Sequence, residues 1–80
     1  MDRKRLEQHL ALVDYEIALN ERQMQRQREL IAKLENDGEG LSEARKLLIA
    51  IEAVRALRVA DRELLRQELA LFRQELKKIW

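Results

Sequence analysis

Apolar residues recur along the first half of the chain in alternating steps of four and three. They are Leu6, Leu10, Val13, Ile17, Met24, Ile31 and Leu34, with Asn20 and Gln27 holding the two remaining places. This is the a/d spacing of a helix packed along one seam, sustained over about four heptads. The second half ends on the same rhythm, with Leu65, Leu69, Phe72, Leu76 and Ile79. Its start offers Leu47, Ile51 and Val54, with Ala44 and Leu48 beside them. Carried backwards by sevens, the late seam meets Arg62, Arg58 and Arg55. The stripe is therefore expected to drift around the second helix, as a period of about 3.6 residues does against a strict seven.

One stretch interrupts this rhythm. Asn36-Asp37-Gly38-Glu39-Gly40 holds both glycines of a chain without proline. The pattern predicts a helix over about 2–36, a turn over 37–41 and a helix over 42–79. Asp2 is suited to cap the first helix, since its carboxylate can accept from free N–H groups of the first turn. Gly38 can take the left-handed conformation that ends a helix. Ser42 is the expected cap of the second, with Glu43 favourably placed in its first turn. So short a connection makes the helices antiparallel neighbours.

With the bend at the glycines, residue numbers facing each other should sum to about 78 if both helices rise equally. Leu34 then meets Ala44, Ile31 meets Leu47, Met24 meets Val54, Val13 meets Leu65 and Leu6 meets Phe72. Asn20 meets Arg58, and Ile17 comes beside Asp61. Asp14 and Glu21 fall within reach of Arg62 and Arg58. The breaks in both seams thus share one level, predicting a polar layer of Asn20, Arg58, Asp61 and Arg62 that fixes register at some cost in stability.

A second apolar set lies off the first seam: Leu12, Tyr15 and Leu19 on the first helix, Ala50, Leu57 and Leu64 on the second. A helix apolar on more than one side is covered on more than one side. These six residues are the expected interface with a second copy. At 80 residues the chain is one domain, near the roughly 70–80 residues below which a lone core is seldom sufficient. It has no cysteine, hence no disulfide or thiolate zinc site. The fold expected is all-α: an antiparallel two-helix hairpin that dimerises into a four-helix bundle.

Composition narrows the function by exclusion. Charged residues are 39% and aromatic residues 4%, the make-up of long helices. Sixteen Lys+Arg against fifteen Asp+Glu leave a net charge of +1, with no global pull towards nucleic acid or an anionic membrane. Arg22, Arg26 and Arg28 are interspersed with Glu21 and Glu29, as on a solvated helix face. The longest apolar run, Leu47 to Ile51, is far short of the ~20 residues that span a bilayer. Met1 to Arg5 is charged and leads into an amphipathic pattern, not a signal-peptide core. A cytoplasmic location is expected.

Catalytic and metal chemistry find no constellation. His9 is the single histidine and Ser42 the single serine. The Glu-x-x-His motif of di-metal bundles is absent, because Leu6 stands three before His9. The acidic turn lacks the ligand spacing of a calcium loop. Leu12-Val13-Asp14-Tyr15-Glu16-Ile17 with Glu21-Arg22 faintly resembles the opening helix of small all-helical chorismate mutases. Those enzymes need further helices and several cations around a dianion, which this chain does not supply. Neither an enzyme nor a cofactor is expected.

A broader likeness runs from about Gln23 to Leu69. Gln27-Arg28-Glu29-Leu30-Ile31-Ala32-Lys33-Leu34-Glu35, the acidic glycine turn, Ala44-Arg45-Lys46-Leu47-Leu48 and Arg58-Val59-Ala60-Asp61-Arg62 resemble a family of short uncharacterised helical-hairpin proteins of alphaproteobacteria. The resemblance implies a hairpin and nothing about chemistry.

The expectation is therefore a small structural or interaction protein, a homodimeric adaptor or regulator whose partners are itself and another protein. The alternative is a binder of nucleic acid or anionic membrane through a basic tip of Arg3, Lys4, Arg5, Arg73, Lys77, Lys78 and Trp80. End charges favour an antiparallel dimer, with the acidic turn (Glu35, Asp37, Glu39, Glu43) of one copy beside the basic tip of the other.

Overall fold

In the computed structural model, residues 2–79 are described, with side chains to residue 75. Two helices, α1 (Arg3–Asp37) and α2 (Leu41–Ile79), run antiparallel and pack along their length into a rod of 65 × 15 × 14 Å. Lys77, Lys78 and Trp80 of the expected basic tip, and Leu76 and Ile79 of the late seam, fall outside the described side chains.

Each end of the hairpin has an identifiable cause. Asp2 caps α1, its carboxylate accepting from the Arg5 N–H at 2.8 Å. The Gly38 N–H bonds the Leu34 carbonyl at 2.7 Å with φ at 80°, closing α1 by a left-handed residue. Gly40 also has positive φ, 72°. Two left-handed residues so close reverse the chain within three positions, and a side chain at either would be strained. The second helix starts one residue earlier than expected. The Ala44 N–H bonds the Gly40 carbonyl at 3.0 Å, so Gly40 takes the capping position and Ser42 lies exposed inside the first turn.

The seam of α1 falls on the spacing read from the sequence. Leu6, Val13, Ile17, Asn20, Met24 and Gln27 are buried, and Leu10, Ile31 and Leu34 half-buried. On α2 the strict seven persists. Leu41, Ala44, Leu48, Ile51, Arg55, Arg58, Arg62, Leu65, Leu69 and Phe72 are all buried or half-buried. The expected drift does not occur, and Leu47 and Val54 stand 51% and 41% exposed, so they are not the inward partners of Ile31 and Met24. The physical reason is the length of arginine. Its aliphatic stem fills a seam position while its head swings out to a carboxylate on the other helix. The main apolar cluster sits in the open half: Leu6, Val13, Ile17, Leu65 and Leu69, with Leu10, Val59 and Phe72 against it.

Candidate interaction surface

At mid-height the arginines meet α1 one by one. Arg58 donates to the Asn20 side-chain oxygen and pairs with Glu16 at 2.8 Å. Arg55 reaches Glu21 at 3.2 Å and Arg62 reaches Asp14 at 3.5 Å. Asn20 uses its own amide on Gln23, 3.1 Å away. Two turns towards the loop from Asn20, the buried Gln27 amide donates to the Ala44 carbonyl at 2.8 Å. Among the described residues no buried side-chain N or O is left without a partner. The layer thus joins Asn20, Arg58 and Arg62, as read from the sequence, but Asp61 is exposed, and Glu16 takes the acid's place beside Arg58. Glu21 pairs with Arg55 instead of Arg58.

The surface divides sharply once the seam is fixed. In an antiparallel pair, positions just after each d lie together on one face, and positions just before each a on the other. The first of these faces is charged. Glu7, Asp14, Glu21, Arg28 and Glu35 lie along α1 there, and Arg45, Glu52, Arg66 and Arg73 along α2, with the half-buried Val59 between them; Glu35 and Arg45 approach to 3.6 Å. The opposite face is largely apolar on α2 and mixed on α1. On α2 it carries Leu47, Ala50, Val54, Leu57, Leu64 and Leu71, again in steps of three and four, with Asp61 and Glu68 in the same run. This is a second heptad seam, turned about 100° from the first at 100° per residue. On α1 the same face carries Leu12, Leu19 and Leu30, with Arg5, His9, Glu16, Gln23, Arg26 and Lys33 between and beside them. Gln23, Leu47 and Val54 line one groove across the two helices, and Glu68, Leu71, Phe72 and Glu75 line another near the open end.

Of the six residues expected at an interface with a second copy, Leu12, Leu19, Ala50, Leu57 and Leu64 lie on this face, all exposed. Tyr15, 60% exposed, lies one turn from both Leu12 and Leu19 at the outer rim. Leu30, Leu47, Val54 and Leu71 belong to the face but were not read from the sequence. The signal was present: holding α2 to strict sevens through its arginines leaves a second seven-residue run outside.

The basic tip is partly engaged. Arg3 pairs with Glu7 at 3.0 Å and Arg5 with Asp2 at 3.9 Å, all exposed, while Lys4 and Arg73 are exposed. The acidic turn is compensated likewise, Glu35 by Arg45 and Glu43 by Lys46. His9 is exposed on the apolar face. Among the described residues no three His, Cys, Asp or Glu side chains are grouped to hold a metal, and no helix is long and apolar enough to cross a membrane. No family model, curated protein or solved structure matches the chain.

Proposed function

We propose that this chain is a small non-enzymatic interaction protein that dimerises through its apolar face into a four-helix bundle and acts as an adaptor or regulator. The observation that supports this is the second heptad seam of α2. Leu57, Leu64 and Leu71 are each more than half exposed, and they share a face with Leu12, Leu19 and Leu30. Scattered exposed leucines need no explanation, but six apolar residues at heptad spacing, interrupted only by Asp61 and Glu68, do. A strip of about 50 Å by 15 Å buried on each copy comes to about 750 Å², close to the ~800 Å² per partner of a standard interface. The resemblance to short alphaproteobacterial hairpin proteins is in keeping with the hairpin itself.

The basic-tip reading has less support, because Arg3 and Arg5 are matched by acids on their own helix. Thermal unfolding separates self-association from a lone hairpin. The midpoint of a dimer rises with protein concentration by mass action. A midpoint independent of concentration over a hundredfold range would reject dimerisation. Salt-sensitive binding to duplex DNA or anionic vesicles would instead favour the basic tip.

A further inference from the structure

Resting on the self-association proposed above, we infer that two copies close face to face with their Gly38 turns at the same end, each α1 lying against the partner's α2. A twofold axis can join two such faces in two ways. It can run along the rod, which superposes α1 on the partner's α2 with both turns together. It can instead cross the rod, which superposes like helices and sends the turns to opposite ends. The side-chain pattern of the face discriminates between them.

Levels are set by the contacts inside one hairpin. Residues at one height have numbers summing to about 76, as Asp14–Arg62 and Glu21–Arg55 do. With the axis along the rod, Leu12 falls on the partner's Leu64 and Leu19 on the partner's Leu57. Arg26 falls on the partner's Ala50, a side chain small enough to admit it, and Lys33 meets the partner's Glu43. Along the middle of the face, Leu30, Leu47 and Val54 of both copies come together in the loop half. In the loop half and at mid-height leucine meets leucine, and the one pair of facing charges at the loop end is opposite in sign; at the open end Arg5 falls on the partner's Leu71.

With the axis across the rod, the two halves are exchanged. The middle of the face is apolar in its loop half and acidic in its open half, at Glu16, Asp61, Glu68 and Glu75. Leu47 and Val54 would then be pressed against carboxylates, which lose water without gaining a partner. Arg26 and Lys33 would lie towards the basic start of the partner's α1. The end charges that favour inversion are weak by comparison, since Glu35, Glu43, Arg3 and Arg5 are already paired within their own hairpin and exposed pairs contribute little. The same-end arrangement does bring Asp61, Glu68 and Glu75 of both copies to common levels, an acidic layer beside the two Glu16–Arg58 pairs. That layer weakens the dimer and fixes its register, as a polar residue in a seam does. The product presents two turns at one end and two copies of Arg3, Lys4, Arg5 and Arg73 at the other.

The natural chain has no cysteine, so a single label is unambiguous. Glu39→Cys, in the exposed turn, carries a spin label for dipolar distance measurement. Same-end dimers give a distance of about 10–25 Å, from helices about 8–10 Å apart plus the label arms. Opposite-end dimers give a distance approaching the 65 Å of the rod. As an independent readout, Leu19→Cys protein is mixed with Leu57→Cys protein and oxidised. A disulfide between unlike chains, in excess over like pairs, is the expected product. A long spin distance on a particle of dimeric mass overturns the orientation alone. Absence of any dipolar coupling on a particle of monomeric mass overturns the self-association beneath it.

Discussion

Leu57→Ala isolates the apolar face from the fold. Leu57 is 69% exposed in the hairpin, so trimming it removes almost nothing from the internal seam. Alanine is also the better helix former, so α2 does not suffer. The substitution deletes three carbons, each contributing about 0.8 kcal/mol when fully buried. Scaled by the fraction now exposed, that is about 1.7 kcal/mol per protomer. A twofold dimer loses it twice, about 3 kcal/mol, or on the order of 100- to 300-fold in the dimer dissociation constant. Sedimentation equilibrium of both proteins over a concentration series measures this directly, with far-UV circular dichroism as the check that helicity is unchanged. Ile49→Ala is the control. Ile49 is 66% exposed but lies on the back of α2, away from the face. Equal weakening by both substitutions, or none by Leu57→Ala, would refute the assignment of the face.

Three further outcomes follow from named contacts. Asp61→Leu joins Leu57 to Leu64 in the second seam of α2 and should tighten the dimer at least tenfold by sedimentation; an unchanged constant would mean that Asp61 is not covered. Asn20→Leu or Arg58→Leu alone should cost about 1–3 kcal/mol in denaturant unfolding, because each strands its partner, while the double substitution should cost less than their sum; strict additivity would show the two side chains to be uncoupled. Gly38→Ala meets open space but holds φ at 80°, so it should cost about 1 kcal/mol and lower the midpoint by about 4–8 °C; a neutral result would mean the turn relaxes freely.

The hairpin was legible because its signals are local and agree. One glycine-bearing break, one capping aspartate and a four-three rhythm in α1 leave a single arrangement of two helices. The level of Asn20 opposite Arg58 was legible too, since antiparallel pairing fixes it from the turn. Less legible was the inward face of α2. Hydrophobicity alone points Leu47 and Val54 at α1, and only the reach of Arg55, Arg58 and Arg62 to Glu21, Glu16 and Asp14 keeps the seam on strict sevens. Moving that seam by one column moves Leu47 and Val54 from the core to the surface. It also shows that the expected interface residues Leu57 and Leu64 belong to a longer stripe. The capping of α2 by Gly40 instead of Ser42 is a one-residue shift of the kind that helix ends allow.

Self-association is the claim on which the rest depends. Sedimentation equilibrium of the unmodified protein reads mass without regard to the rod's shape, which would mislead elution volume. From about 1 to 100 µM a self-associating hairpin gives a particle approaching twice the 9.6 kDa of the chain, with a dissociation constant in or below that range. A mass that stays at 9.6 kDa throughout, with helicity intact, would contradict it.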